Sequence, residues 1–251
     1  MTAPAAPTRM RRPVAILMAV ASLAALAILL ALGTWQVQRL AWKEALIATI
    51  ESRVHGEPVE LAEIEARFAQ GGDVDYWPVE VTGTFRHEAE RHYFATWQGQ
   101  SGYNLMTPLE LADGRLVFVN RGFVPFDRKD AASRAEGQVE GEVRIAGLAR
   151  TVPADKPSFI VPDNDAAGNV FYWKDLPVMV ESVGLAGERV LPFVVDADGA
   201  PNPGGLPVGG VTIVDLPNNH LQYAVTWYGL AAALVAVLGV WAWRARRPSD
   251  P

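Results

Sequence analysis

The fold of this chain is set by residues 217–231, which read PNNHLQYAVTWYGLA. They open a longer stretch, 216–243, that contains no Asp, Glu, Lys or Arg. Its apolar part, 223–243, is long enough to cross a bilayer, which takes roughly 20 apolar residues as a helix. Polar side chains stand directly before this span, at Asn218, Asn219, His220 and Gln222. The pattern predicts a transmembrane helix that carries a polar motif at its outer boundary.

A second apolar block, residues 14–35, also lacks formal charge. Arginines precede the first block and follow the last one, at Arg9, Arg11, Arg12, Arg244, Arg246 and Arg247. By the positive-inside rule both termini are then cytoplasmic, and the residues between the spans lie across the membrane. A cleaved signal peptide is the alternative for the first block, because Ala31-Leu32-Gly33 resembles a cleavage site. Its hydrophobic region is longer than the usual 7–15 residues, so we expect a retained anchor.

Charge and composition exclude several classes of function. The net charge is −6 and the two tails contribute +5 of it, so the part between them carries −11. Binding to nucleic acid requires a basic face, and this excess of acidic residues argues against such a partner. It argues equally against docking of the outer domain on anionic lipid. The chain has no cysteine, which excludes disulfides, thiolate metal sites and thiol catalysis.

The residues between the spans predict a β-rich domain. The helix of the first span is expected to continue past the membrane until Gly56 and Pro58, with a short amphipathic helix after it. From Tyr76 the apolar period becomes two, and Asp113-Gly114 marks a hairpin turn. Further strands are expected at 139–148, 170–173 and 191–195, a short helix at 177–183, and loops at 151–168 and 199–210.

The predicted fold is therefore a membrane protein in which two transmembrane α-helices bracket a mainly antiparallel β (α+β) extracytoplasmic domain, barrel- or sandwich-like. Its parts are a cytoplasmic tail (1–13), a first transmembrane helix (14–35), a periplasmic β-rich domain that is helical at 36–70 (36–215), a membrane-boundary motif (216–222), a second transmembrane helix (223–243) and a second tail (244–251).

Familiar catalytic motifs fail on spacing. Residues 87–92 read HEAERH, but a zinc-protease motif needs two histidines four apart on a helix, and these are five apart in a predicted turn. We expect them to be solvated turn residues. Residues 99–102, GQSG, are one residue short of a nucleophile elbow. Arg121, in the run NRGFVP at 120–125, is expected to pair with a carboxylate.

His220 is then the most informative chemical feature. On a helix it shares one face with Tyr223, Ala224, Trp227 and Ala231. One interpretation is local: Asn218 or Asn219 caps the helix and His220 bonds a loop carbonyl. The other is that His220 is an axial ligand for a haem lying against Tyr223 and Trp227, since neutral imidazole is a common haem ligand. Ionisable groups at membrane depth favour a functional role.

Residues 218–228, NNHLQYAVTWY, closely resemble the Surfeit locus protein 1 family of cytochrome c oxidase assembly factors, including its bacterial members and the yeast mitochondrial protein Shy. Residues 33–43, GTWQVQRLAWK, resemble the family's first-helix exit, and TPL at 107–109 and VNRGFVP at 119–125 resemble its central strands. The resemblance runs from about Leu32 to Ala231. No mitochondrial presequence is evident, so it implies a bacterial inner membrane.

This resemblance implies an assembly factor for the haem–copper oxidase that binds haem a and helps its insertion into subunit I. The family's haem-ligand histidine maps onto His220, with Tyr223 and Trp227 as walls. Lipid, subunit I and a haem a synthase are the implied partners. Candidate partner-contact residues in the matched motifs are Trp35, Arg39, Arg121, Gly122, Asn218 and Asn219. Nothing in these motifs corresponds to a nucleophile or an acid–base pair, so we expect no enzyme.

Three other functions remain open. A cofactor-free scaffold that stabilises an oxidase intermediate is the main alternative. A copper carrier is weaker, because copper(I) carriers favour Cys and Met ligands, and here there is no Cys and only five Met. A membrane-anchored periplasmic hydrolase would need a catalytic constellation that the sequence does not show.

Overall fold

The computed structural model describes residues 12–212 and 216–246. They fall into two compact units, residues 1–49 with 215–251 and residues 50–214. The helices are α1 (Arg12–Val54), α2 (Leu61–Ala69), α3 (Leu176–Ser182) and α4 (His220–Arg246), and the strands are β1 (Pro78–Phe85), β2 (Arg91–Trp97), β3 (Gln100–Leu111), β4 (Leu116–Pro125), β5 (Glu142–Thr151) and β6 (Val190–Ala197).

Two of these helices are long and apolar enough to cross a membrane, α1 and residues 220–244 of α4. Large apolar side chains face outward along both, among them Leu17 and Val237, which are 68% and 65% exposed. Helix α1 runs without a break to Val54, which confirms that the first helix continues well past its apolar block.

Within the helical unit α1 and α4 pack antiparallel. Gln36 of α1 meets His220 at the start of α4. At the other end residues 15–23 and 237–242 line one apolar crevice. The least exposed positions of α4 alternate in steps of four and three: His220, Ala224, Trp227, Ala231, Leu234 and Leu238. This is the spacing of a two-helix seam, and the two alanines let the backbones approach closely.

The other unit is built on a closed β-barrel. The strands follow the order β1-β5-β6-β4-β3-β2, and an additional pairing of β1 with β3 closes five of them into a ring. In that closing pair Gly83 lies opposite Leu111 and Phe85 opposite Leu109. All pairings are antiparallel except β4 with β6. The β domain predicted from the sequence is thus a barrel rather than a sandwich. Strand β2 pairs with the first half of β3.

Side chains from all five barrel strands fill the interior. The alternating apolar residues of the strands meet there, including Val79, Leu109, Val119 and Phe193, none more than 1% exposed. Helix α2 packs against this core, with Ile64 fully buried and the Phe68 ring 5.9 Å from that of Phe193. Burial of such side chains is the main force that holds a small barrel together.

Two local expectations were wrong. Residues 170–173 form no strand: Phe171 and Val170 make only isolated bridges, to Tyr93 and Asp165. The turn at 87–92 is not solvated, because Glu90 and His92 are 6% and 8% exposed. The connector 199–210 is irregular as expected, and Val208 within it exchanges two backbone hydrogen bonds with Phe123.

Candidate functional site

His220 is held by a side chain of the other long helix. Its Nδ1 lies 2.7 Å from Oε1 of Gln36, 184 residues earlier in the chain. Gln36 is 8% exposed, and it is one of the two buried residues of the described part of α1 within the helical unit, the other being Gly33. A buried amide needs a hydrogen-bond partner. The imidazole supplies one for the Gln36 oxygen.

This contact fixes the tautomer of the ring. The Gln36 oxygen can only accept, so the proton of a neutral His220 resides on Nδ1 and is donated to Gln36. The lone pair is then on Nε2, to which no described residue forms a hydrogen bond. Histidines that bind metals usually donate their other ring N–H to a carbonyl or carboxylate in this way. The arrangement leaves Nε2 ready to bind a metal.

Asn218 caps the start of α4, as the local interpretation expected, but His220 bonds the side chain of Gln36 and not a loop carbonyl. Asn218 Oδ1 accepts from the backbone N–H of His220 at 3.4 Å, and the Asn219 carbonyl accepts from the N–H of Tyr223 at 3.3 Å. The bond to Asn218 engages an N–H of the first turn that has no backbone partner within the helix, and the bond to the Asn219 carbonyl is the first i to i−4 bond of the helix. The cap and the His220–Gln36 bond coexist, so capping does not compete with a ligand role.

The two aromatic residues that follow His220 on α4, Trp227 and Tyr223, differ in their exposure. Trp227, two turns after His220, is partly buried on the seam side, whereas Tyr223 is 54% exposed. Tyr223 therefore lies beside the seam rather than within it. The two rings follow His220 by three and seven residues along α4.

A third aromatic residue locks the two helices together. The ring of Tyr228 packs on Gly33, where an added Cβ would come within 2.9 Å of the ring. Its hydroxyl lies 3.1 Å from the Thr34 hydroxyl. The absence of a side chain at Gly33 therefore permits a contact that sets the separation of α1 and α4 near His220.

Trp35 and Arg39 are exposed on α1, as partner-contact residues would need to be. Trp35 is 51% exposed, and the Arg39 guanidinium lies 4.2 Å from the ring centroid of Trp42. The cation–π contact holds the guanidinium against an exposed ring of the same helix.

Arg121 and Gly122 are placed differently, inside the barrel unit. Gly122 has φ = 119°, and a Cβ there would lie 1.9 Å from the Val208 carbonyl oxygen. Arg121 is 3% exposed and its Nη1 is 4.0 Å from Glu90 Oε2, with a shorter bond from Nη2 to the Gly137 carbonyl. Both residues are buried, so they support the fold instead of offering a contact surface.

Arg121 belongs to a buried charge cluster that sequence reasoning missed. Glu90 binds Arg134 through both carboxylate oxygens, and Arg134 is 5% exposed. His92 Nε2 lies 3.2 Å from Glu90 Oε1 without the angle of a hydrogen bond. Burial alone would raise the pKa of Glu90, but the contacts with His92 and Arg134 outweigh it and lower that pKa. Burial lowers the pKa of Arg121 to about 10.

No group of three or more His, Asp or Glu side chains able to hold a metal ion occurs among the described residues. A haem needs no such group, because its iron takes one or two axial ligands from the protein. The other three histidines lie in the barrel unit, residues 50–214. His55, which directly follows α1, has its Nδ1 2.9 Å from the Glu51 carbonyl in the last turn of that helix.

A sequence model of the SURF1 family matches residues 23–232, which include most of α1, the whole barrel and the first part of α4 with His220. The chain belongs to the SURF1 family. Surfeit locus protein 1 of Xenopus tropicalis is 41% identical over 220 residues, covering 80% of this chain and 68% of the frog protein. The human protein of that name is 39% identical, covering 80% of this chain and 70% of its own length.

A more distant organism gives the same result. The SURF1-like protein of Monosiga brevicollis is 38% identical over 219 residues and covers 82% of this chain. The family predicted from residues 218–228 is thereby confirmed. For this SURF1 family member, sequence reasoning identified His220 and its cap but missed Gln36 and Tyr228. The position of Gln36 at the end of an apolar helical stretch is the sequence feature that could have identified it as a site residue.

Proposed function

We propose that this chain assists the assembly of a haem–copper cytochrome c oxidase, and that it binds haem a with His220 as an axial ligand through Nε2. The His220–Gln36 hydrogen bond of 2.7 Å supports this proposal most directly. A histidine held by its Nδ1, with a free Nε2 and an apolar surround, has the orientation that haem ligation requires. Membership of the SURF1 family supports the oxidase-assembly role.

Each residue of the site has a defined task in this proposal. Gln36 orients the imidazole and keeps the proton on Nδ1. Trp227 and Tyr223 cover the face of the macrocycle, and Tyr223 offers a hydroxyl at the polar layer. Gly33 and Tyr228 set the distance between the helices. The bound haem would supply only its own redox chemistry; the protein binds, orients and shields it, and acts as a chaperone rather than an enzyme.

The membrane arrangement follows from the charges. Arginine-rich tails keep both termini in the cytoplasm of a bacterial cell, so the barrel domain lies in the periplasm and His220 at the periplasmic boundary of the inner membrane. Outward apolar side chains on α1 and α4, such as Leu17 and Val237, would face lipid. Oxidase subunit I receives the haem, and the haem a synthase supplies it.

The test of haem binding is the absorption spectrum of the purified protein. Wild type, His220→Ala and His55→Ala are purified in detergent from cells that make haem a. His55 is the control histidine, because it follows the end of α1 directly but belongs to the barrel unit and is not part of the helix seam. The proposal expects the Soret band in wild type and His55→Ala and its loss in His220→Ala. An unchanged spectrum in His220→Ala would refute the ligand assignment.

A cofactor-free scaffold is the second candidate, favoured by the 54% exposure of Tyr223, which leaves the site open on one side. Colourless protein that still co-purifies with oxidase subunit I from a strain making haem a would favour the scaffold. Coloured protein that loses both the haem and subunit I in His220→Ala would favour the carrier.

A further inference from the structure

A second cavity lies wholly within the barrel unit. Its volume is about 510 Å³, within the range usual for ligand sites. Residues of β2, β3, β4, β5 and β6 line it, together with the loop that follows β5. The cavity is separate from the site around His220 and from the hydrophobic core of the barrel.

The floor of this cavity is cationic. Its charged lining residues are Arg150, Lys174 and Asp196, which together carry a net charge of +1. The barrel unit as a whole has 25 acidic and 14 basic residues and a net charge of −11. Asp196 is 5% exposed and takes bonds from Asn120 Nδ2 at 3.0 Å, Lys174 Nζ at 3.1 Å and the Thr212 hydroxyl at 2.9 Å. Its carboxylate is therefore already satisfied, and it holds the ammonium in place.

Both cations retain unused donors. Arg150 gives only its Nε to a carboxylate, Asp75 Oδ1 at 3.2 Å, and its two terminal amino groups bond to no described residue. Lys174 makes a single hydrogen bond, to Asp196. The charges of both also act to lower the pKa of Asp196, as do its hydrogen bonds, against the opposing effect of burial. Donors on two cations around one polar floor fit a carboxylate.

One lining residue presents an acceptor as well. Asn104 Oδ1 is buried and receives no hydrogen bond from any described residue. It lies at an irregularity of the sheet: Asn104 pairs with Phe123, but Met106 pairs with Asn120, so β4 has one extra residue there. Bulges of this kind re-aim side chains and are frequent next to binding sites. A buried acceptor without a partner calls for a ligand that carries a donor.

The walls are aromatic and rigidly placed. Tyr93, Tyr172 and Trp173 line the cavity. Asn164 Oδ1 accepts from the backbone N–H groups of Tyr172 and Trp173 at 2.8 and 3.3 Å, which fixes both residues. Preset rings of this type receive apolar or aromatic side chains at a low entropic cost.

We propose that this cavity binds the C-terminal end of a partner polypeptide. A chain terminus carries a carboxylate and, a short distance from it, a backbone N–H. The carboxylate binds the free donors of Arg150 and Lys174, the N–H donates to Asn104 Oδ1, and the last side chain lies against the tyrosines and Trp173. A porphyrin propionate brings the carboxylate without that N–H, so it would leave Asn104 unpaired. Capture of C-terminal carboxylates is an established mode of peptide recognition.

The test measures fluorescence anisotropy with full-length protein in detergent. The probes are fluorescein-labelled peptides Gly-Ser-Ala-Ala-X, with X as Ala, Leu, Phe or Tyr, each made as the free acid and as the amide. The key variant is Asn104→Ala, which leaves no group unpaired among the described residues because none of them bonds the Asn104 side-chain oxygen. Lys174→Gln removes one cation, and Arg144→Gln is the charge-matched control, since its side chain is 73% exposed and it does not line this cavity.

The proposal expects at least one free acid to bind about tenfold more tightly than its amide, the loss typical of one charge-assisted bond. Asn104→Ala and Lys174→Gln should weaken binding, Arg144→Gln should not, and Asn104→Ala should keep the wild-type melting temperature. Equal binding of acid and amide, or no binding at about 1 mM peptide, overturns it. Binding of mesoporphyrin that Lys174→Gln abolishes, with no peptide binding, overturns it in favour of a propionate.

Discussion

The bond between Gln36 and His220 makes the sharpest prediction. Gln36→Leu keeps the size of the side chain and removes the acceptor at 2.7 Å from Nδ1. The imidazole then loses its fixed tautomer and orientation. Loss of such an outer-shell partner typically costs 10–100-fold in metal affinity. We therefore expect haem affinity to fall by that factor, which is about 1.4–2.7 kcal/mol of binding free energy.

The assay is a titration of purified apoprotein with haem, followed at the Soret band. Gln38→Leu is the matched control, since Gln38 is exposed on the same helix two residues further on. Gln36→Glu keeps an acceptor and should retain binding, with a lower reduction potential because a carboxylate makes the imidazole more basic. Equal dissociation constants for Gln36→Leu and Gln38→Leu would refute the orienting role of Gln36.

Four further predictions concern the helix pair and the barrel. Glu90→Gln leaves Arg121 and Arg134 without their buried anion and should destabilise the barrel by about 3–5 kcal/mol, seen as a lower urea midpoint; an unchanged midpoint would contradict the buried cluster. Gly122→Ala places a Cβ 1.9 Å from the Val208 oxygen and should yield little folded protein, whereas Gly114→Ala, at a glycine with positive φ and open space, should cost far less. The pKa values of Glu90 and Asp196 are lowered on folding, so their stabilisation is present above the ordinary values of 4.5 and 3.8 and is lost as pH falls below them; the melting temperature should drop steeply there, and a flat profile would count against it. Gly33→Val should separate α1 from α4 at Tyr228 and weaken haem binding without changing the melting of the barrel; wild-type affinity would show that the separation does not matter.

Much of the architecture could be predicted because it is local in sequence. Two charge-free blocks predicted α1 and α4, and the Asp113-Gly114 turn predicted the β3–β4 hairpin, since the apolar period and turn residues act over a few positions. The capping asparagines and His220 were also visible, because they interrupt an apolar stretch.

The rest depended on contacts between distant residues. The β1–β3 pairing that closes the barrel joins Gly83 to Leu111, and no local pattern specifies it. The run 87–92 is polar and therefore predicts a solvated turn. Glu90 is nevertheless buried, because it forms an ion pair with Arg134, which lies 44 residues later in the chain. In the same way Gln36 became a site residue only when α4 brought His220 beside it. Burial of polar groups is decided by their partners, and partners are not evident from a single stretch.

The most direct test of His220 as the axial ligand is chemical rescue. His220→Gly protein, loaded with haem, is measured by absorption with and without added imidazole. Our account predicts that the Soret band of wild type is lost in the variant and returns when free imidazole occupies the vacated position. A variant spectrum identical to wild type before imidazole is added would contradict it.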